Sequence, residues 1–155
     1  MGLLQSIAAL FYRFNRPPNK KFSRSRAPKI DPHTLGRLGE RAAARHLQKV
    51  GYRVLYWNFR APHGGEVDLV CRHETTLVFV EVKTRRTVRH GRPASAVHLH
   101  KQRLIARGAI AWLRMLNNPA VPFRFDIVEV VTTPSSDFSI QILENAFQLP
   151  EPWSD

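Results

Sequence analysis

The most constraining feature of the sequence is a pair of short apolar runs separated by a polar turn. The runs are GEVDLVCR, residues 65–72, and TLVFVEVK, residues 76–83. Both have the length and the Val, Leu and Phe content of β-strands, and the Glu74-Thr75 step between them is typical of a turn. The pattern predicts an antiparallel β-hairpin, so any fold of this chain has to be built around that sheet.

The register of this hairpin places acidic side chains in an otherwise apolar sheet. If the strands turn at Glu74-Thr75, Leu69 faces Val80 and Asp68 faces Glu81. Directly opposed side chains have Cβ atoms about 4.5–5.5 Å apart, and like charges so placed are destabilising. Asp68 and Glu81 therefore require a compensating positive charge. The same register makes one face wholly apolar, with Val67, Leu69, Cys71, Val78, Val80 and Val82.

Two interpretations of these acids are open from the residues alone. Lys83 lies two positions after Glu81, hence on the same face, and Glu66 lies opposite Lys83. One amine cannot neutralise three carboxylates, whereas a divalent cation can, and hard oxygen ligands suit Mg²⁺ or Mn²⁺. The alternative is a structural ion-pair cluster in which Lys83 bridges carboxylates, because such clusters occur without any function.

Patterns elsewhere in the chain predict a mixed α/β domain with the element order α-β-β-β-α-β-β. Residues 34–50 carry apolar side chains at helical spacing and end at Gly51, and a second helix runs from about Ala94 to Asn117. The strands are predicted at residues 52–60, 65–72, 76–83, 123–130 and 138–144.

The first helix carries one acid in an unusual place. Arg37, Arg41 and Arg45 form a basic stripe on one side of the helix. Glu40 lies apart from them, at the edge of the apolar stripe. It is therefore expected to face whatever the helix packs on.

The charge distribution is strongly uneven. The 155-residue chain has a formal charge of +12. Residues 31–125 carry 17 Lys/Arg and six acids, while residues 126–155 carry six acids and no Lys/Arg. A basic body of this kind favours a polyanionic partner, first nucleic acid and second an anionic membrane surface, although composition alone also allows a basic protein without such a partner. No segment is long and apolar enough to cross a membrane.

The ends of the chain bound the folded part. Residues 1–30 carry seven Lys/Arg, no acid and no regular period, which predicts a mostly disordered tail that is either a phosphate-binding arm or a solvated leader. LLQSIAALFY, residues 3–12, lacks the flanking features of a signal peptide.

The lone Cys71 excludes an intramolecular disulfide and fits a reducing cytoplasm. We expect a cytoplasmic domain at residues 31–147 and a C-terminal tail at residues 148–155.

Four runs between roughly residues 34 and 131 carry a resemblance to a known family. They are GRLGERAAARHLQKVGYRVLYWNFR, GGEVDLV, FVEVKTRR and RFDIVEV. These runs resemble the YraN-like family of uncharacterised bacterial proteins. That family is assigned by similarity to the restriction-endonuclease-like, PD-(D/E)xK nuclease superfamily, which includes archaeal Holliday junction resolvases. The resemblance implies a restriction-endonuclease-like α/β core, with a central mixed β-sheet flanked by helices.

The resemblance also implies roles for individual residues. Asp68 resembles the first metal-binding acid of the superfamily, and Glu81 and Lys83 resemble its E-x-K pair. Glu40 resembles the additional helix glutamate of resolvase-like members. In phosphodiester hydrolysis, Asp68, Glu81 and Glu40 would hold Mg²⁺ or Mn²⁺, and Lys83 would position or deprotonate the attacking water. The side chains placed to bind backbone phosphates are Arg85, Arg86, Arg89, Arg92, Lys101, Arg103 and Arg107.

Two functional hypotheses from different classes follow. The first is a divalent-metal-dependent nuclease that hydrolyses phosphodiester bonds in DNA, with branched or damaged DNA as candidate substrates. The second is a nucleic-acid-binding protein that has an endonuclease-like fold and cuts nothing. Both predict salt-sensitive binding, because each phosphate contact releases counterions, and only the first predicts dependence on a divalent metal. Resolvase-like members act as dimers, so the resemblance also suggests a homodimer.

Overall fold

A computed structural model of the protein describes residues 30–86, 97–132 and 137–150. Its helices are α1 (Pro32–Lys49) and α2 (Leu99–Met115). Its strands are β1 (Tyr52–Arg60), β2 (Glu66–His73), β3 (Thr76–Arg85), β4 (Phe123–Thr132) and β5 (Phe138–Phe147). The predictions for the tail before Ile30, for Arg89 and Arg92, and for residues 151–155 lie outside the described residues.

The predicted α/β class and the element order are confirmed. The five strands form one mixed sheet in the order β1-β2-β3-β4-β5. Strands β3 and β4 are parallel, and the other neighbouring pairs are antiparallel. A parallel pair needs a crossover connection, and α2 lies in that connection. Neither helix of the described residues has the length and apolarity needed to span a bilayer.

The two helices pack on opposite faces of the sheet. Helix α1 packs through Ala43 and Leu47 on the face that carries Leu69 and Val80. Helix α2 packs on the other face, where its apolar side chains meet Phe79. Because neighbouring strand residues point to opposite faces, a strand covered on both sides is apolar along most of its length. This accounts for the long apolar run of β3.

The predicted hairpin register is confirmed for most of its length and fails near Asp68. Main-chain pairs run from His73–Thr76 to Leu69–Val80, as the position of the turn requires. Val67 was expected on the same face as Leu69, but it packs in the cluster under α2. That expectation was wrong because the strict alternation of β2 is broken between these two residues.

Two glycines let the helices approach the sheet near this break. Gly39 of α1 lies so close to Thr84 that an added Cβ would overlap the threonine side chain. Gly108 of α2 lies over the start of β2, where an added Cβ would be 2.9 Å from Val67 Cγ2 and 3.1 Å from the Glu66 main chain. Any larger residue would push each helix away from the open end of the hairpin.

A second polar network surrounds Asp126, which is in register with Val80 in the parallel β3–β4 pair and so lies on the α1 face of the sheet. Its buried carboxylate accepts hydrogen bonds from Tyr52 Oη at 3.0 Å, Arg124 Nε at 2.9 Å and the Asn145 N–H at 2.9 Å. The Arg124 guanidinium also donates to Tyr52 Oη at 2.8 Å. A buried polar group with this many partners joins β1, β4 and β5 at one point.

Gly39→Ala is expected to destabilise the protein, because the new methyl group would overlap Thr84 where α1 approaches β3. Overpacking of this kind costs about 1–3 kcal/mol. Gly36→Ala is the matched control: a Cβ there has no neighbour within 4 Å, and alanine favours a helix over glycine by about 0.5–1 kcal/mol. Urea denaturation of both variants measures these opposite effects. Equal stability of the two variants would contradict the close packing of α1 on Thr84.

Candidate active site

The acids predicted from the sequence meet where the β2–β3 hairpin opens. Asp68 Oδ2 accepts a hydrogen bond from the Val82 N–H at 2.8 Å. The main-chain pairing of the two strands reaches Leu69 and Val80, just before these residues. The Asp68 carboxylate therefore takes a donor of β3, and the strands part around it.

Glu81 is the most deeply buried acid of this cluster, with 3% of its surface exposed. Its Oε1 accepts a hydrogen bond from Lys83 Nζ at 2.7 Å. Its Oε2 lies 3.2 Å from Lys101 Nζ, which is ion-pair distance. The geometry of this second contact is not that of a hydrogen bond, and Oε2 has no hydrogen-bond partner among the described residues. Glu81 thus has two cationic neighbours, of which Lys83 is hydrogen-bonded and Lys101 makes the looser contact.

Lys101 belongs to this acidic cluster. From the sequence it is predicted to bind backbone phosphate, whereas in the structure its Nζ lies 2.5 Å from Glu66 Oε1. The other oxygen of Glu66 pairs with Arg60 at 2.6 Å. Burial alone would lower the pKa of Lys101, but the hydrogen bond to Glu66 and the charges of Glu81 and Asp68 outweigh burial and raise that pKa. Lys101 is therefore a stable cation among carboxylates.

Asp68 lacks this degree of compensation. Burial and then the charge of Glu81 raise the pKa of Asp68 to about 7, although the Val82 N–H and the charge of Lys101 act in the opposite direction. The charge of Glu40 raises this pKa further. Asp68 is thus the carboxylate of the cluster whose ionised form the surroundings disfavour.

Glu40 reaches the cluster from the other face of the sheet. Gly39 allows α1 to lie against Thr84, which brings Glu40 to the end of β1. There, Asn58 Nδ2 donates a hydrogen bond to Glu40 Oε2 at 3.2 Å. Asn58 has a left-handed backbone with φ of 50°, a conformation that asparagine tolerates better than most residues. Glu40 is predicted from its position on the helix, whereas Asn58 is not, because its only signal in the sequence is a polar side chain in an apolar strand.

The cluster has features that fit a hard divalent cation. In the described part of the chain, no group of three or more His, Cys, Asp or Glu side chains stands in metal-binding geometry. Carboxylates are nevertheless the ligands that Mg²⁺ and Mn²⁺ prefer. Glu81 Oε2 is buried without a hydrogen bond, and the charge of Asp68 is poorly compensated. A cation bound between these groups would give Glu81 Oε2 a partner and would compensate the charge of Asp68. In the structure, the Lys101 ammonium lies next to Glu81.

A cavity of about 440 Å³ opens beside the cluster on the α1 side. Glu40 and Lys83 are among the residues that line it. Its lining consists of Pro32, Leu35, Gly36, Glu40, Val82, Lys83, Thr84 and Arg86.

The predicted phosphate-binding arginines fall into two described groups. Arg85 and Arg86 are exposed at the end of β3, and Arg85 Nε lies 4.0 Å from Glu129 Oε1. Arg103 and Arg107 are exposed one turn apart on α2. Exposed guanidinium groups at these positions are accessible to a polyanion.

Comparison with known proteins shows that the candidate-site residues lie within a segment that matches a protein family. The family described as "Uncharacterised protein family UPF0102" matches residues 39–130. A UPF0102 protein of Geobacter sulfurreducens is 45% identical over 115 residues, which are 74% of this chain and 89% of that protein. A UPF0102 protein of Symbiobacterium thermophilum is 44% identical over 113 residues, 73% of this chain and 95% of that protein. The relative from Caldicellulosiruptor saccharolyticus is 40% identical over 119 residues, 76% of this chain and 100% of that protein.

Asp68→Asn is expected to stabilise the metal-free protein near pH 8. The pKa of Asp68 is about 7 in the folded protein and about 3.9 in an unfolded chain. The folded state therefore binds more protons between these values, so wild-type stability falls as pH rises through that window. Asparagine carries no charge at any pH, so the variant should lose this part of the pH dependence. Urea denaturation in chelator, from about pH 4 to about pH 8, measures the difference.

Glu81→Gln provides the contrasting variant in the same experiment. It would leave the partly buried Lys83 and Lys101 without their shared carboxylate. Removing one partner of an ion pair is destabilising, by less than for a fully buried pair because Lys83 is 33% exposed and Lys101 keeps Glu66, so this variant should be less stable than wild type near pH 8. A similar decrease in Asp68→Asn would mean that Asp68 is also a stabilising ion-pair partner.

Proposed function

This chain belongs to the uncharacterised protein family UPF0102, and because that description assigns no activity, we propose a function from the site. We infer that the protein is a divalent-metal-dependent nuclease that hydrolyses phosphodiester bonds in DNA. The observation that carries this proposal is the opening of the hairpin around Asp68, which brings two carboxylates and Lys83 to one end of the sheet. The five-stranded α/β fold is compatible with a restriction-endonuclease-like core.

In this proposal Asp68 and Glu81 hold Mg²⁺ or Mn²⁺, and Glu40 completes the ligand set directly or through water. When bound, the cation supplies Lewis-acid stabilisation of the charge that develops on the phosphate, and it makes water more acidic. Both carboxylates are held by the protein before any metal arrives, Asp68 by the Val82 N–H and Glu81 by Lys83. Such preorganisation lowers the cost of assembling the site during the reaction.

Lys83 is proposed to act on the substrate. Its side chain is 33% exposed and its Nζ lies 2.7 Å from Glu81 Oε1. The ammonium thus stays next to Glu81 while it is partly accessible to solvent. From this position it would orient the attacking water or stabilise negative charge on the phosphate.

The charge of the domain supports DNA as the substrate class. Residues 31–125 carry 17 Lys/Arg against six acids. The exposed Arg85, Arg86, Arg103 and Arg107 would contact backbone phosphates, which requires no particular base sequence. Branched or damaged DNA remain candidate substrates, and a homodimer is the proposed working unit.

One observation favours a second function, a nucleic-acid-binding protein without catalysis. Glu81 already has two ammonium neighbours, Lys83 and Lys101, so its charge is compensated without a metal ion. A site that is neutralised by lysines would keep the fold and the basic surface but would no longer need the cation. Metal dependence separates the two functions.

Cleavage is expected only in the presence of Mg²⁺ or Mn²⁺. The full chain should be incubated with linear duplex, single-stranded, flap and four-way-junction DNA, with each metal and with chelator. Lys83→Met should lower the rate by at least about 10²-fold, the typical effect of removing one transition-state donor, and should retain DNA binding. Lys49→Met is the matched control, because Lys49 is an exposed lysine at the end of α1. Binding without cleavage of any substrate would instead support the second function.

Binding to DNA is expected to depend steeply on salt whether or not the protein cuts. Affinity in chelator should fall strongly between about 50 and 200 mM salt, with little preference for sequence. The logarithm of the binding constant falls linearly with the logarithm of the salt concentration. The double variant Arg103→Ala and Arg107→Ala should reduce the slope of that line by about one for each phosphate that the variant no longer binds. Fluorescence anisotropy with labelled duplexes of unrelated sequence measures both effects. An absence of binding at low salt would contradict a nucleic-acid partner altogether.

A further inference from the structure

We propose that Lys101 is a tethered cation that competes with the divalent metal ion for Glu81 and withdraws onto Glu66 when the metal binds. This inference rests on the proposed metal site, and it gives a role to a residue that the proposed reaction does not use. Lys101 would set the metal concentration at which the site fills. Glu66 would be its holding partner rather than a metal ligand.

Lys101 makes one strong contact, with Glu66, and one weaker contact, with Glu81, and competition with a metal ion requires this difference. Its Nζ lies 2.5 Å from Glu66 Oε1 and hydrogen bonds to it. The distance to Glu81 Oε2 is 3.2 Å, and that oxygen has no hydrogen-bond partner among the described residues. The contact with Glu81 is therefore the weaker of the two. A metal ion could replace it while Lys101 keeps its bond to Glu66.

The net charge of the cluster determines how strongly Lys101 and a divalent cation compete for Glu81. The carboxylates of Glu40, Glu66, Asp68 and Glu81 are accompanied by three cationic side chains, those of Arg60, Lys83 and Lys101. With Lys101 against Glu81, the cluster is close to neutral and attracts a dication weakly. An ammonium and a dication on one buried carboxylate would also repel each other strongly, because the protein interior screens charges poorly.

The fold allows the Lys101 side chain to move while its main chain stays in place. Lys101 lies in the first turn of α2, and its side chain is 23% exposed. Gly108, further along the same helix, packs directly against the main chain of Glu66. The flexible four-carbon stem of a lysine can swing its ammonium over several ångströms without a backbone change. The proposed withdrawal is thus a side-chain movement toward a carboxylate that Arg60 already holds.

Lys83 differs from Lys101 in its hydrogen bonding to Glu81, in its position in the fold and in its number of carboxylate partners. It binds the other oxygen of Glu81 with a 2.7 Å hydrogen bond, and it lies on the same strand as that residue. No second carboxylate is found in ion-pair contact with Lys83 within the described chain. Lys83 therefore stays with Glu81 when the other oxygen changes its partner.

The test measures binding of Mn²⁺ alone to the full-length protein, by the electron paramagnetic resonance signal of free Mn²⁺. Lys101→Met should bind Mn²⁺ about 10- to 100-fold more tightly than wild type, a coupling in the range usual for linked sites. Lys49→Met removes a lysine outside the cluster and should bind as wild type does. Equal or weaker binding by Lys101→Met would overturn the competition while leaving the metal site intact. No binding by any of these proteins would overturn both the competition and the proposed nuclease site.

A double-mutant comparison tests the role of Glu66. In the wild-type background, Glu66→Gln should weaken Mn²⁺ binding, because Lys101 would then pair only with Glu81. In the Lys101→Met background, the same change should leave Mn²⁺ binding unaltered within about twofold. Weaker binding in both backgrounds would make Glu66 a metal ligand and would overturn the holding role.

A measurement on the wild-type protein covers the case in which Lys101→Met does not fold. The modification rate of each lysine by an amine-reactive reagent can be followed by peptide mass spectrometry, with and without saturating Mn²⁺. Coupling between two ligands is reciprocal, so Mn²⁺ should raise the reactivity of Lys101 several-fold and leave Lys49 unchanged. A lower or unchanged reactivity of Lys101 would show that it remains on Glu81, contrary to the proposal.

Discussion

The hydrogen bond between the Val82 N–H and Asp68 Oδ2 organises the functional end of the sheet. A carboxylate that takes a main-chain donor also ends the regular pairing of two strands. The hairpin therefore opens beyond Leu69 and Val80, and Val67 turns toward α2. The opening keeps a half-buried acid next to Glu81, and both helices approach it through glycines. That one hydrogen bond therefore fixes the position of the Asp68 carboxylate where the hairpin opens.

The two buried acids of the sheet, Asp126 and Glu81, have different surroundings. Asp126 accepts hydrogen bonds from Tyr52, Arg124 and Asn145, so its carboxylate is satisfied. Glu81 keeps one oxygen without a hydrogen bond. A buried carboxylate with a full set of hydrogen bonds holds the strands together. A buried oxygen without a hydrogen bond costs free energy, so its presence calls for an explanation. That contrast favours the cluster around Glu81, and not the network around Asp126, as the candidate for chemistry.

Much of this arrangement was predictable from short-range patterns. The turn at Glu74-Thr75 and the alternation of apolar residues gave the register and the pairing of Leu69 with Val80. The helical spacing in α1 separated Glu40 from the basic stripe. Alternation failed at Val67, because it assumes an unbroken ladder and Asp68 interrupts it. It also could not identify Gly39 and Gly108 as close-approach points, since their importance lies in what they touch.

The sequence by itself determined the element order, the hairpin register and the presence of acids in a buried strand. These follow from local periodicity, which is a property of residues close together in the chain. Only the tertiary structure decided which cations accompany those acids. Lys101 and Glu66 are 35 residues apart, and no local pattern distinguishes Lys101 from its basic neighbours on α2. Charges interact through space, so their partners are decided when the crossover places α2 on the sheet.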